Sequence, residues 1–188
     1  MTSDPGHCLA LQLASNLVGA DVRQLRHRCS RCRSGEHGVP FADFDQRRIA
    51  LSISRAPGVI AAAASLDGSI GIDIERHQAA GFDGFATVAL HPDEPAPASS
   101  ADATRLWVRK EAVLKALGSG LRIDPRTVRL ATSDPPRLLE WPDPRPPEHL
   151  ELRDLSAPDG YTAALAGIGG SGLAYTQVSI RPATSPSV

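Results

Sequence analysis

The sequence predicts an α+β domain built on antiparallel strands with few helices. Three observations carry that prediction. Alternating or small-apolar segments separated by tight turns fill residues 49–75, one amphipathic stretch covers residues 105–117, and further short strand-like segments follow it. With 188 residues, 41% hydrophobic content and a net charge of -1, the chain suits one globular domain, or two small halves fused. A pI near 6.6 speaks against whole-surface attraction to nucleic acid or membrane. An aromatic content of 4% leaves little for stacking bases. No run of about 18 apolar residues occurs, so no membrane-spanning helix is expected. The first twenty residues lack a basic leader, and Gln12, Ser15 and Asn16 interrupt their apolar stretch, so the expected compartment is the cytoplasm.

The elements follow in order. Residues 9–18 read as a helix stopped by Gly19. Residues 22–33 hold five arginines and His27 with no acid, which reads either as a solvated face or as a local anion patch. Cys29 and Cys32 form a C-x-x-C with His37 nearby, half a zinc site with no fourth ligand at sensible spacing; loop thiols are the simpler reading. Cys8 reads as a small helix-face residue, and three cysteines make no disulfide framework. Residues 49–54 alternate, 58–66 are small and apolar, and 69–75 alternate strictly. Turns at Ala56-Pro57-Gly58 and Asp67-Gly68 suggest that these three strands form an antiparallel meander. Residues 91–100 are rich in Pro, Ala and Ser and are expected to form a mobile loop. The helix over 105–117 ends at Gly118-Ser119-Gly120. Short strands are expected near 127–131, 150–155, 161–167 and 173–180; residues 135–147 are too proline-rich for a central strand, and 181–188 read as a tail. A turn followed by a small-residue strand recurs, at 54–64 and again at 156–166, a weak internal echo.

The chemistry concentrates on two segments. On the strand over 69–75, Ile70, Ile72 and Ile74 point to one face and Gly71, Asp73 and Glu75 to the other. Asp73 and Glu75 thus project together, roughly 7 Å apart from the rise per residue. Two such charges repel unless a cation or base sits between them, although a solvated strand face is the plainer alternative. Oxygen donors of this kind suit magnesium. On the helix, Leu106, Trp107, Val113, Leu114 and Leu117 form an apolar arc with Glu111 and Lys115 beside it as an i,i+4 pair. Lys110 falls inside the arc, where its charge is costly unless it snorkels out or meets an anion. A bound anion at the helix edge would use Lys110 and Lys115 while Glu111 joins the two strand acids on a metal.

At Gly71-Ile72-Asp73-Ile74-Glu75 and Trp107-Val108-Arg109-Lys110-Glu111-Ala112-Val113-Leu114-Lys115 the chain resembles the 4′-phosphopantetheinyl transferases, whose paired signatures G-x-D-I-E and W-x-x-K-E-A-x-x-K stand here complete. His91-Pro92-Asp93-Glu94, Cys29 and Cys32 with Glu36-His37-Gly38, and Ser52-Ile53-Ser54 also look like the family, so the resemblance covers residues 29–168. It implies magnesium-dependent transfer of the phosphopantetheine arm of coenzyme A to a serine of an apo acyl or peptidyl carrier protein, releasing adenosine 3′,5′-bisphosphate. It also implies one domain of two pseudo-twofold halves, residues 1–90 and 101–180, each a small antiparallel sheet packed with a helix. That is the larger, pseudo-dimeric branch, expected as a monomer. In such a site Asp73, Glu75 and Glu111 would hold the metal. Glu111, directly or through a water, or else Glu75, would take the serine proton. Lys115 with Lys110 would stabilise the leaving phosphate, and Ser54, Arg55 and His37 would join them at the coenzyme. Two positions depart from the pattern: Val39 stands where the family usually carries Lys or Arg between Gly38 and Pro40, and Arg55 stands where a histidine is common. The resemblance therefore leaves a second reading, a catalytically weak homologue that binds coenzyme A or a carrier protein.

Overall fold

A computed structural model describes residues 4–29, 31–143, 146–170, 173–174 and 176–183. In chain order its elements begin with α1 (Pro5–Val18), β1 (Arg26–Arg28), β2 (Val39–Phe44), β3 (Arg47–Ala56), β4 (Val59–Ser65) and β5 (Ser69–Arg76). There follow α2 (Phe85–Ala89), α3 (Ser100–Ala116), β6 (Arg129–Leu130), β7 (Leu138–Glu140), β8 (Leu150–Leu155), β9 (Tyr161–Ile168) and β10 (Thr176–Pro182). Two antiparallel sheets organise them, one ordered β1-β2-β3-β4-β10 and the other β5-β9-β8, with β6 and β7 as a separate small ribbon.

Period-2 alternation assigns each strand residue to a layer. In β4, Ile60, Ala62 and Ala64 pack on Leu9, Ala10, Leu13 and Ala14 of α1. The intervening Val59, Ala61 and Ala63 meet Ile70, Ile72 and Ile74 of β5 and Ala163 and Leu165 of β9. On the far face of β9, Ala164 and Ala166 pack on Leu106, Val113 and Leu114 of α3. The result is four layers: α1, the five-stranded sheet, the three-stranded sheet, α3. Both central strands are buried on both faces, and their alanines let the layers on either side approach closely.

The α+β class with antiparallel sheets holds, and several expectations are corrected. β3 and β4 form the expected hairpin, but β5 does not continue a meander. It crosses to the other sheet and pairs with β9, while β10 from the far end of the chain takes the place beside β4. Alternation specifies which faces are buried and says nothing of which strand supplies the ladder. α3 starts at Ser100, a turn and more earlier than expected, because the Ser99 hydroxyl accepts from the Asp102 amide (3.1 Å) as an N-cap. Residues 91–99 are irregular as read, yet Glu94 within them is buried. Residues 181–182 complete β10 instead of beginning a tail, and 184–188 lie outside the described residues. The strands β1, β2 and β7 and the short α2 are additions that the sequence pattern did not signal. Among the described residues no helix is long and apolar enough to cross a membrane.

Candidate active site

β5 turns Gly71, Asp73 and Glu75 toward α3, and Gly71 sets the spacing. A Cβ there would lie 2.0 Å from the Ala112 carbonyl oxygen and 2.5 Å from the Ala116 amide nitrogen, so only glycine admits the helix this close. The close approach lays Glu111 and Lys115 over the strand. Lys115 Nζ donates to Asp73 Oδ1 (2.6 Å), Ser54 Oγ (3.2 Å) and the Ile72 carbonyl (3.1 Å). Ser54 Oγ donates in turn to Asp73 Oδ1 at 2.7 Å.

β5 is an edge strand, and its unpaired amides face β3. The serines of β3 satisfy them: Ser52 Oγ accepts from the Ile72 amide (3.0 Å) and Ser54 Oγ from the Ile74 amide (3.3 Å). The Ser-x-Ser spacing thus stitches the two sheets together across the layer boundary and, at Ser54, reaches the acidic group.

Two buried carboxylate oxygens, Asp73 Oδ2 and Glu111 Oε1, have no hydrogen-bond partner. Burial and then the charge of Asp73 raise the pKa of Glu111 against the pull of Lys115. Glu75 is likewise raised, by burial first, then by Asp73 and Glu111, with Lys115 again opposing. Three acids and one amine leave the group short of positive charge, and its free donors are hard oxygens. That chemistry fits a divalent cation such as magnesium. The three carboxylates do not form a closed shell with ligand atoms within 4.8 Å of one another. Direct ligands of one magnesium lie within about 4.2 Å of one another, so in this arrangement at least one of the three acids would reach the ion through a water or after a side-chain rotation.

A cleft of about 490 Å³ opens beside this group, and Lys115 belongs to both. Its walls carry His7, His27, Arg28, Arg31, Arg55 and Arg122, with no carboxylate among the described lining residues. Burial, with His7 and His37 close by, pushes His27 below its usual pKa, as expected on a wall crowded with cations. Two arginines of the basic run, Arg28 and Arg31, thus border the cleft while remaining solvent-exposed. His7 and Arg122 carried no signal in the sequence; His7 arrives through the first turn of α1, and Arg122 through the turn after Gly118. Val39 lines the same cleft, against Gly118. Arg55 reaches the cleft while pairing with Asp4, the N-cap of α1.

Three residues expected at the coenzyme are not among the described lining of the cleft: Lys110, His37 and Ser54, the last meeting Lys115 beside it. Lys110 is fully buried, and its Nζ donates to Glu94 Oε2 (2.6 Å), the Ala89 carbonyl (2.7 Å) and the Pro125 carbonyl (3.0 Å). The anion it meets in the apolar arc is a protein carboxylate, and full burial away from the cleft keeps its ammonium from a phosphate there. His37 sits against Cys32, Nε2 to Sγ 3.4 Å, and does not line the cleft.

An acidic group short of positive charge, beside a basic cleft on an α+β frame, has the chemistry to take a cation and a phosphorylated ligand. The family model of the 4′-phosphopantetheinyl transferase superfamily matches residues 69–166, just over half of the 188-residue chain, and the chain belongs to that superfamily of coenzyme A-using transferases. The matched span runs from β5 to β9 and contains Asp73, Glu75, Glu111 and Lys115. A comparison with curated proteins finds no match.

Proposed function

We propose that the chain transfers the 4′-phosphopantetheine arm of coenzyme A to the serine of an apo acyl or peptidyl carrier protein, with magnesium, releasing adenosine 3′,5′-bisphosphate. One observation carries this reading: two unpartnered buried carboxylate oxygens beside Lys115, which also lines a cleft whose charged side chains are all basic among the described residues. Arg28, Arg31 and Arg55 hold the phosphates of the coenzyme, and Arg28, Arg31 and Arg122 supply the charge that Val39 does not. Lys115 meets the diphosphate where the cleft reaches the acids. Glu111, whose raised pKa makes it a stronger base than an ordinary glutamate, accepts the proton of the carrier serine. The serine oxygen bonds to the attacked phosphorus as the bond to the departing adenosine phosphate breaks. A divalent cation held by Asp73, Glu75 and Glu111 would supply charge neutralisation for the diphosphate.

The topology supports two pseudo-twofold halves, since a helix packs on a hairpin and a strand from elsewhere in each. α1 lies on β3, β4 and the exchanged β10, and α3 lies on β8, β9 and the exchanged β5. The sequence echo falls on the two hairpins. A chain that carries both halves has no need of a second copy, which supports a monomer.

The test is the intact mass of an apo carrier after incubation with the protein, coenzyme A and magnesium. A phosphopantetheine-sized gain is expected with wild type and not with Asp73→Ala. Coenzyme A binding without any gain on several carriers would replace this reading with the binding-module one. Charge reversal at Arg28 is expected to raise the Michaelis constant for coenzyme A more than that for the carrier.

A further inference from the structure

The loop between β1 and β2, whose Cys29 lines the cleft, gathers Cys29, Cys32 and His37. Their ligand atoms all lie within 4.8 Å of one another, a convergence that no other group of three such residues reaches among the described residues. We propose that this loop is a binding site for a soft divalent cation, zinc, held by the thiolates of Cys29 and Cys32 and the Nε2 of His37, with the fourth position open to solvent.

Geometry supports the assignment at three points. Zinc–ligand bonds of about 2.3 Å to sulfur and about 2.0 Å to nitrogen place tetrahedral ligand atoms roughly 3.5–3.8 Å apart. The Cys32 Sγ to His37 Nε2 distance of 3.4 Å is close to that. The loop is also shaped before any ion arrives. The amides of Cys32 and Arg31 both donate to the Cys29 sulfur. Amide donors aimed at the first sulfur of a C-x-x-C favour the thiolate that a metal needs. The chain then reverses: the Arg33 amide donates to the Cys29 carbonyl (3.0 Å), the Cys29 amide to the Ser34 carbonyl (3.0 Å), and Arg33 takes φ 58°. A non-glycine residue in that region is uncommon and marks a turn that its surroundings dictate. The pairing of Arg28 with Val39 closes the loop at its base.

The donor set selects the ion. Two thiolates and an imidazole suit zinc and not magnesium, so the two proposed cation sites do not compete. Binding releases the thiol protons to solvent, and two thiolates with one Zn²⁺ make a neutral unit. A loop bearing Arg28, Arg31 and Arg33 thus carries no added cationic charge. Because Cys29, Arg28 and Arg31 all line the cleft, the ion would brace the basic wall from behind.

The test uses the full-length protein, purified reduced and without chelators. Elemental analysis is expected to find about one zinc per chain. Cobalt(II) added to metal-stripped protein is expected to give thiolate-to-cobalt charge-transfer bands. Cys32→Ser should abolish both signals, and His37→Ala should weaken zinc affinity by at least the ~10–100-fold that even outer-shell partners cost. Asp73→Ala should leave both signals intact. Cys32 and His37 are exposed, so circular dichroism should show each variant folded. Zinc below about a tenth of an equivalent with no charge-transfer band in wild type would overturn the proposal. So would a Cys29–Cys32 disulfide that forms despite excess zinc.

Discussion

Lys110 and Lys115 stand on the same helix in the same motif, and their surroundings differ in kind. Around Lys110 every polar atom is satisfied: its Nζ has three acceptors, Glu94 Oε2 also accepts from the His91 amide (2.9 Å), and Glu94 Oε1 accepts from the Leu130 amide (2.8 Å). Around Lys115, Asp73 Oδ1 is satisfied twice over, while Asp73 Oδ2 and Glu111 Oε1 have no partner. A saturated buried ion pair is architecture, fastening residues 89–94, Pro125 and β6 to α3. An unsaturated one keeps acceptors free for a ligand, since most buried polar groups in native proteins have a partner.

The largest effect should come from the unsaturated side. Asp73→Ala or Glu111→Gln is expected to cut carrier modification roughly a thousandfold, the scale on which preorganised electrostatic groups act. The melting temperature should not fall in Glu111→Gln, whereas Asp73→Ala, which strips Lys115 and Ser54 of their acceptor, should also lose some stability. If the rate survives within tenfold, the acids are not the reactive group and the contrast fails.

On the saturated side the expected loss is stability. Lys110→Ala should cost about 3–5 kcal/mol in urea denaturation by leaving Glu94 charged, buried and alone. Activity per folded molecule should stay within a few-fold of wild type. The double change Lys110→Met with Glu94→Leu should recover much of the stability, since apolar replacement of both partners is often neutral. A single-mutant loss below about 1 kcal/mol would show that the pair is not the fastening it resembles.

Magnesium sharpens the contrast more gently. At ten times its dissociation constant it should stabilise wild type by about 1.4 kcal/mol, read as a rise in melting temperature. Asp73→Ala should show no such rise, whereas Lys110→Ala should show it in full from a lower baseline.

The smallest effect is on pH dependence in chelator. Glu111 has a folded pKa above its ordinary 4.5, so between those values the native state holds more protons than the unfolded chain. Stability therefore falls as pH rises through that window and stays lower above it. Glu111→Gln should flatten this descent and leave the neutral-pH protein slightly more stable than wild type, measured by thermal melts across the window. An unchanged slope would mean that Glu111 is not held against its charge.

The sequence by itself determined the α+β class, the hairpin of β3 and β4, and the faces of β5 and α3. Alternation and helical periodicity are local, and Asp73 with Glu75, and Glu111 with Lys115, could be read off one strand and one helix. It also showed that Lys110 must either snorkel out or meet an anion. Only the tertiary structure decided which anion, because Glu94 is brought in by a loop whose composition reads as loose. The exchange of β5 and β10 between sheets was equally illegible, since a buried face can be matched by any complementary strand. The meeting of Arg28, Arg31, His7 and Arg122 on one cleft depends on packing between distant segments. Periodicity reports which side of an element is buried; what lies on the other side is settled only when the layers close.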